Sequence, residues 1–351
     1  MINVLAVEDS PVIRDMLTHI FNSEKDICLV GIAKNGREAI DMVQQLHPDV
    51  VTMDVNLPVM NCLEATRKIM GVNPVPIIIV SSEYDPKNMN DTFKALQAGA
   101  VAIAEKPHSI GTEKFKQIAT RLIQTIRLMA EVKVVRRMTS NYSNLVPSKK
   151  IASDKLIPDH RIQIVGIGAS TGGPQVIEKL LSHLNKEFSF PVVVVQHITT
   201  GFVSGYIEWL NSSSSIHVKL AEDNEVLISG ICYIAPDNSH IMVTSQKKIK
   251  LLDTVPENGS KPSVSVLFKS IAKHYGSSAI GILLSGMGKD GAAELGLIKA
   301  NGGITLVQDE LSSVIFGMPG EAIRMNSASY IFSPEQMIEF LNELDRVVKN
   351  I

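Results

Sequence analysis

Residues 164–181 read IVGIGASTGGPQVIEKLL, which is an apolar run, a glycine-rich turn and a segment that predicts a helix. Short runs rich in Val and Ile recur on both sides of this stretch, and helix-like segments separate them. Continuous apolar strands that alternate with helices are typical of parallel sheets covered on both faces. The pattern therefore predicts an α/β protein with doubly wound, mainly parallel sheets.

The chain is 351 residues long, which exceeds one ordinary domain, and 45% of its residues are hydrophobic. One series of strand and helix signals runs from residue 2 to about 128, and a second begins near residue 161. The stretch between them is rich in Ser, Asn, Lys and Pro and has little periodicity. We therefore predict a domain at 1–128, a linker at 129–160 and a second domain at 161–351.

Charge and composition argue against several classes of protein. The net charge of -2 and the lack of an RRM or zinc-finger pattern give no reason to expect a nucleic-acid partner. The three cysteines, Cys28, Cys62 and Cys232, form no CxxC pair that would suggest metal or redox work. The start MINVLAVED is unlike a signal peptide, and no apolar run approaches the roughly 18 residues of a membrane span. We expect a cytoplasmic protein with no membrane insertion.

In the first domain, charged or hydroxyl residues follow four of the predicted strands: Glu8 and Asp9, then Asp54, Ser81 and Lys106. The carboxyl ends of parallel strands meet at one edge of a sheet, so these side chains should lie together. Clustered carboxylates suit Mg²⁺, and Asp54 would be the nucleophile toward a phosphoryl group whose oxygens Ser81 and Lys106 bind. The alternative is that these are ordinary polar loop residues.

Residues 1–128 resemble a two-component receiver domain through VEDSPVIRDML, VTMDVNLPVMN, IIVSS and AEKP. The resemblance implies a flavodoxin-like fold and phosphorylation of Asp54 by a histidine kinase. It also implies that Asp9, Asp54 and the Asn56 carbonyl hold Mg²⁺, with Glu8 acting through water.

Four positions depart from the receiver pattern. Asn61 and Cys62 stand where Asp-Gly is usual, and Glu105 stands where a small or hydroxyl residue is usual. Ile103 replaces the usual aromatic switch residue. These differences concern the relay of the phosphorylation signal more than the phosphorylation chemistry.

The glycine-rich turn GIGASTG has two interpretations. As a dinucleotide-binding turn of an oxidoreductase it requires an acid at the end of the next strand, but FPVVVVQHI ends in Gln196 and His197. As a tight strand-to-helix turn it could present Ser170 as a nucleophile beside a helix N-terminus. Ser170 or Thr171 could instead be the N-cap of a helix with Pro174 in its first turn.

Three complementary groups follow three predicted strands of the second domain: Ser170, His197 and Asp290. A nucleophilic serine needs an imidazole to take its proton, and the imidazole needs a carboxylate to fix its tautomer. His197 or Asp290 alone would more often be structural, the latter as an N-cap, but together the three favour hydrolysis. Other candidates are predicted to be structural: His240, Phe202, Tyr206 and Trp209.

Residues 161–351 closely resemble the protein-glutamate methylesterase domain of chemotaxis through GIGASTGGP, VVVVQHI, YIAPDNSH, KPSVSVLFKSIA, SGMGKDGA and VQDELSSVIFGMP. With the N-terminal receiver, the chain resembles a CheB-type response regulator. The resemblance implies a Rossmann-like domain in which Ser170 is the nucleophile, His197 the general base and Asp290 its orienter. Thr171 and the backbone of Met287 would help to bind the oxyanion, and hydrolysis would need no cofactor.

The implied reaction is hydrolysis of glutamyl methyl esters on the cytoplasmic helices of methylated chemoreceptors, which releases methanol. Glutamine deamidation is a second activity of the family. The resemblance also implies that the receiver blocks the serine site until it is phosphorylated. In QHITTGF the usual Pro-Pro is missing, which affects substrate fit more than catalysis. A signalling scaffold without enzyme activity and a nucleotide-dependent oxidoreductase are the alternatives.

Overall fold

The computed structural model describes residues 1–82, 86–132, 134 and 162–350, with only the backbone described at 86–90. The chain divides into two compact units, Met1–Ser140 and Asn141–Ile351. Most of the predicted linker at 129–160 lies outside the described residues, so the predicted domain limits stay predictions. In the part of the chain that the structure describes, no helix combines the length and the apolar character needed to cross a membrane.

The first unit is a parallel sheet with helices between its strands. The strands are β1 (Ile2–Val7), β2 (Ile27–Ala33), β3 (Val50–Asp54), β4 (Ile77–Ser81) and β5 (Ala102–Glu105). The helices are α1 (Pro11–Asn22), α2 (Gly36–Leu46), α3 (Cys62–Val72), α4 (Pro86–Ala98) and α5 (Glu113–Met129). The strand order β2-β1-β3-β4-β5 is the flavodoxin-like order.

Strands and caps of the first unit follow directly from the local sequence. All residues of β3 and β4 are buried, as expected for central strands of a sheet covered on both faces. Asn35 and Asn61 accept hydrogen bonds from first-turn N–H groups of α2 and α3, and Thr112 does so for α5. Asn61, which stands where aspartate is usual in the receiver pattern, therefore caps α3, the helix that follows the loop after β3.

The second unit contains a larger parallel sheet and a small antiparallel ribbon. Its strands are β6 (Ile164–Ala169), β7 (Val192–Gln196), β8 (His217–Leu220), β9 (Ile231–Ile234), β10 (His240–Val243), β11 (Ile249–Leu252), β12 (Ala279–Leu283), β13 (Ile304–Gln308) and β14 (Tyr330–Phe332). Its helices are α6 (Gly173–His183), α7 (Val203–Ser213), α8 (Val264–Tyr275), α9 (Ala292–Ala300), α10 (Met318–Arg324) and α11 (Pro334–Lys349).

The seven-stranded sheet has the order β14-β13-β12-β6-β7-β9-β8 with every pair parallel, and β10 and β11 form the ribbon. From β6 the chain crosses through α6 to β7, whereas from β12 it crosses through α9 to β13 in the opposite direction along the sheet. Because such crossovers are right-handed, α6 and α9 lie on opposite faces. The prediction of two doubly wound, mainly parallel α/β domains is confirmed.

The sheet of the second unit is covered on both faces by apolar side chains. Phe202 and Tyr206 are fully buried and Trp209 is nearly so, which confirms the prediction that these rings belong to the core. The rings of Tyr206 and Trp209 stack with centroids 5.9 Å apart. The helix that carries them, α7, thus contributes packing rather than a wall of a substrate site.

Candidate active site

The site of the second unit lies where β6 and β12 are neighbours. The chain leaves these two strands in opposite directions, which opens a crevice at their carboxyl ends. Ser170 directly follows β6, and its N–H donates to the carbonyl of Ser285 after β12 (3.0 Å). His197 directly follows β7, and its N–H donates to the carbonyl of Ala169 (2.9 Å). Backbone bonds of the sheet thus place Ser170 and His197 on adjacent strand ends.

Ser170 lies in a tight turn between β6 and α6. The N–H of Gly173 donates to the Ser170 carbonyl (2.9 Å), and Gly172 adopts the left-handed region with φ of 81°. Gly172 is the N-cap of α6, which has no side-chain cap bond. The alternative that Ser170 or Thr171 is the N-cap is therefore wrong, whereas Pro174 does lie in the first turn as predicted. Within the described residues, the Ser170 hydroxyl makes no hydrogen bond.

His197 and Asp290 form a close pair. Nε2 of His197 lies 3.0 Å from Oδ2 of Asp290, and the side chains are 18% and 4% exposed. A carboxylate only accepts, so Nε2 carries the proton of the neutral ring and Nδ1 is the nitrogen that can accept one. No hydrogen bond joins Ser170 to the imidazole in the part of the chain described. Such a bond often forms only with substrate present.

Asp290 also binds the start of α8. It accepts hydrogen bonds from Ser263 Oγ (2.7 Å), Val264 N (2.7 Å) and Ser265 N (3.1 Å), and from Asn258 Nδ2 (3.2 Å). The predicted alternative was an N-cap of its own helix, but Asp290 instead satisfies the first turn of another one. Burial opposes ionisation, yet the hydrogen bond and charge of His197 and the serine hydrogen bonds hold the pKa of Asp290 well below its usual range.

His240 lies next to the residues that bind Asp290, but its ring bonds to backbone groups and not to Asp290 or His197. The ring is fully buried; Nδ1 accepts from the Ser263 N–H (3.1 Å) and Nε2 donates to the Val255 carbonyl (3.0 Å). Both ring nitrogens are therefore occupied by backbone groups. The prediction that His240 is structural is confirmed.

Two backbone N–H groups are available near Ser170. Neither Thr171 N–H nor Met287 N–H donates a hydrogen bond to any residue that the structure describes. Met287 is half exposed, and its neighbour Gly286 uses its own carbonyl to accept from Met318 N (2.8 Å). Unpaired N–H groups at the mouth of a crevice are suited to bind a developing oxyanion. The assigned roles of Thr171 and Met287 remain predictions.

Three polar residues that sequence reasoning missed connect the strand ends. Gln196 Nε2 donates to the carbonyls of Ser170 and His197, at 2.8 Å each. Gln308 Oε1 accepts from Ser285 N (2.8 Å), and Ser285 Oγ donates to the Thr171 carbonyl (2.8 Å). The available signal was the polar residue that ends each of the buried runs VVVVQ and ITLVQ.

The first unit brings its predicted acids together at the ends of β1 and β3. Carboxylate oxygens of Glu8, Asp9 and Asp54 all lie within 4.8 Å of one another. Lys106 Nζ lies 2.9 Å from Asp54 and 3.0 Å from Glu8. Ser81 is buried, and its Oγ accepts from Thr92 Oγ1 (3.1 Å). Of the five predicted strand-end residues, Ser81 is the one that neither this proximity nor these ion pairs place in the cluster.

Crowding of negative charge shapes this cluster. Burial and the neighbouring Asp54 raise the pKa of Glu8 to about 7, although Lys106 opposes the shift. Burial also raises the pKa of Asp54. Because oxygen donors crowd together in partly dry surroundings, a divalent cation fits here. Asn56 is exposed and lies just beyond β3, so its carbonyl ligand role stays a prediction.

The remaining departures from the receiver pattern have local structural roles. Cys62 is buried, and burial raises the pKa of its thiol to about 12, which makes it unreactive. Glu105 is buried, and its carboxylate lies 3.4 Å from Lys114 Nζ. Ile103 is half-buried on β5.

The first unit is a flavodoxin-like sheet with an acidic cluster, and the second is an α/β unit with Ser170, His197 and Asp290 near the carboxyl ends of its strands. This combination is typical of a response regulator with an enzymatic output domain. Residues 165–341 match the family model "CheB methylesterase", and residues 4–118 match "Response regulator receiver domain". The chain belongs to the CheB methylesterase family and begins with a receiver domain. This confirms the resemblance and the enzyme class, and it counts against the dinucleotide interpretation of the glycine turn.

Relatives support the same assignment over the full length. A protein of Syntrophus aciditrophicus named protein-glutamate methylesterase/protein-glutamine glutaminase 1 is 46% identical over 346 residues, 98% of each chain. One of the same name without a number, from Nitrosospira multiformis, is 44% identical over 344 residues, 98% of this chain and 97% of the relative. The crystal structure of the Thermotoga maritima CheB methylesterase catalytic domain is 36% identical, with a TM-score of 0.51, and covers 53% of this chain and 100% of that one.

We expect Gly286→Ala to lower methylesterase activity by about 100-fold, the scale of loss typical of a displaced reacting group. A Cβ at this position would lie 2.4 Å from Met318 Sδ and 2.7 Å from Ser170 Cβ, so both Met318 and Ser170 must shift. Gly71→Ala is the control, because a Cβ on that helical glycine meets nothing within 4 Å. Full activity in Gly286→Ala would show that Ser170 tolerates displacement.

We expect Asp290→Asn to lower the free energy of unfolding of the second unit by about 3 kcal/mol at neutral pH, because buried donors lose their anionic partner. The folded-state pKa of Asp290 is lowered, so its contribution is complete above the unfolded value of about 3.9 and is lost as pH falls below it. Denaturant titrations at several pH values should therefore show the two proteins converging at acid pH. The exposed Asp253→Asn is the control, and a difference that grows toward acid would contradict the assignment.

Proposed function

We propose that this protein hydrolyses glutamyl methyl esters on cytoplasmic domains of chemoreceptors by a Ser-His-Asp mechanism that phosphorylation of Asp54 regulates. The observation that carries the proposal is the pair of His197 Nε2 and Asp290 Oδ2 at 3.0 Å, on the strand end beside the Ser170 turn. The names of the full-length relatives supply the substrate class, a methylated glutamate of a protein.

The first half of the reaction forms an acyl-enzyme. Nδ1 of His197 takes the proton of Ser170 Oγ while Oγ bonds to the ester carbonyl carbon. Asp290, held anionic by its hydrogen bonds, stabilises the imidazolium through Nε2–H. The N–H groups of Thr171 and Met287 bind the oxyanion. When the C–O bond of the ester breaks, the leaving methoxide receives the proton from Nδ1 and departs as methanol.

The second half restores the serine. Nδ1 takes a proton from water as the water oxygen bonds to the acyl carbon, and this proton passes to Ser170 Oγ when the bond between Oγ and the acyl carbon breaks. The products are glutamate and the free enzyme, and these steps use only groups of this chain and water. A glutamine amide would follow the same course with ammonia as the leaving group, which is consistent with the glutaminase part of the relatives' names.

The receiver cluster supplies the regulation. A histidine kinase is the phosphodonor, and Asp54 takes the phosphoryl group from its phosphohistidine. Glu8 and Asp9 fit Mg²⁺ together with Asp54, because their oxygens are already within 4.8 Å of one another. Bound there, the cation would offset the charge of the incoming phosphoryl group. Lys106 binds phosphoryl oxygens, and Ser81 does so by exchanging its bond with Thr92.

We expect Ser170→Ala and His197→Ala each to lower methanol release from methylated receptor membranes by at least about 10⁴-fold, because the two residues act as one unit. Ser182→Ala and His183→Ala are matched controls, since both residues lie at the far end of α6. The controls should keep wild-type turnover. Wild-type-like release by Ser170→Ala would exclude the serine mechanism.

We expect a small phosphodonor to label the wild type but not Asp54→Ala, and chelation of Mg²⁺ to prevent labelling. The donor should also stimulate methanol release by the wild type but not by Asp54→Ala. Asp49→Ala is the control, because Asp49 is exposed and binds Asn3 N at the opposite end of the sheet. Equal labelling of Asp54→Ala would place the phosphoacceptor elsewhere, and stimulation of that variant would separate activation from Asp54.

A further inference from the structure

One buried amide connects the backbone of Ser170 with that of His197. Gln196, the last residue of β7, is 4% exposed, and its Nε2 donates to the Ser170 carbonyl and the His197 carbonyl at 2.8 Å each. The two carbonyls belong to the proposed nucleophile, which follows β6, and to the proposed base, which follows β7. The position of the amide therefore fixes one of these main-chain segments relative to the other.

The chemistry of the neighbours determines which end of the amide faces them. Both neighbours are carbonyl oxygens, which only accept, so the NH₂ group must point at them and Oε1 must point away. Oε1 is then buried with no hydrogen-bond partner among the described residues. It lies against Gly173, where an added Cβ would come within 2.5 Å of it.

An unpaired buried oxygen costs stability, and most buried polar atoms in native proteins avoid it. An apolar side chain of the same length would avoid this cost and would continue the buried run VVVV of β7. The amide is thus poorly explained by packing of the sheet alone. It is explained by the two carbonyls that it holds.

A similar side chain stands on the other side of the switch point. Gln308 ends β13, accepts from Ser285 N (2.8 Å) and donates to the Ser312 carbonyl (2.9 Å). Both of its ends are paired within the loops that it joins. Gln196 differs because it binds the residues of the proposed nucleophile and base themselves, and because its oxygen is left without a partner.

We propose that Gln196 is a positioning residue that sets the distance between Ser170 and His197. Without the amide, the Ser170 turn and the loop after His197 lose their common donor, and the carbonyls separate. When the two segments move apart, Ser170 Oγ and His197 Nδ1 move apart as well. Proton transfer depends steeply on the distance between these two atoms. Receptor binding does not depend on it. The inference rests on the proposed serine mechanism.

The test is Gln196→Met in the full-length protein, assayed on methylated receptor membranes. Methionine has nearly the same length and lacks both N–H donors. We expect kcat to fall about 100-fold with little change in KM, because the loss affects the chemical step rather than ground-state binding. Gln196→Glu should be at least as impaired at neutral pH, since a carboxylate only accepts and would face two carbonyl oxygens. Labelling of Ser170 by a small fluorophosphonate should slow in parallel, and it needs no receptor.

Asn211→Leu is the matched control. Asn211 also makes two hydrogen bonds through its amide, to Val218 O (2.6 Å) and from Val218 N (2.9 Å), but at the edge strand β8. It should lower the melting temperature without lowering kcat. A Gln196→Met protein with wild-type kcat, or one whose activity falls only with the folded fraction, would overturn the proposal.

Two further variants make the result decisive. If Gln196→Met fails to fold, Gln196→Asn keeps the donor but shortens the reach, so one of the two carbonyls must lose its bond. We expect this variant to fold and to show a smaller fall in kcat, and an unchanged kcat would overturn the proposal. Ser170→Ala in the same assay separates the two hypotheses: activity in that variant contradicts the serine mechanism, whereas an inactive Ser170→Ala with a fully active Gln196→Met contradicts only the role of Gln196.

Discussion

The carboxylate of Asp290 binds two segments of the second unit that are distant from each other in sequence, the end of β7 and the chain that leads into α8. Its donors are His197 after β7, Asn258 before α8, and the first turn of α8. A charge this deeply buried is stable only when it is paired and hydrogen-bonded, so both segments must converge for the unit to fold well. The N-terminus of α8 adds favourable potential for a negative charge. The same bonds that satisfy the carboxylate fix the orientation of the His197 ring.

Both units place their chemistry at a topological switch point. In the first unit the acids follow β1 and β3, and in the second Ser170 and Ser285 follow β6 and β12. Helices leave such neighbouring strands on opposite faces, which opens a crevice at the carboxyl ends of the strands. In the first unit, carboxylates and one lysine lie at this crevice. In the second unit, backbone carbonyls and N–H groups surround Ser170 there. The same arrangement of strands therefore places a cluster of acids in one unit and the candidate catalytic residues in the other.

Hydrogen bonds across the strand ends hold the second site together. Ser285 donates to Gln308 through its N–H and to the Thr171 carbonyl through its hydroxyl, and Gln196 donates to the carbonyls of Ser170 and His197. Each links backbone groups that the ladder of the sheet no longer pairs. Loops that carry reactive groups are thus fixed by buried side chains of the strands rather than by their own packing. This gives the loops the rigidity that positioning of reacting atoms requires.

The sequence by itself determined the class of fold and the choice of candidate site residues. Apolar runs such as VVVVQ define buried parallel strands, and residues that follow them must lie at one edge, which is why Ser170, His197, Asp54 and Lys106 could be chosen. Local spacing also placed Pro174 in the first turn of its helix.

Only the tertiary structure decided which helix Asp290 caps, which nitrogen of His197 meets it, and that Gln196, Ser285 and Gln308 bind the loops. These contacts depend on the strand order β13-β12-β6-β7, in which the central neighbours β12 and β6 are more than a hundred residues apart. Periodicity reports which face of an element is buried but not which element lies beside it. Polar side chains whose partners are backbone groups on distant loops therefore leave little signal in the sequence.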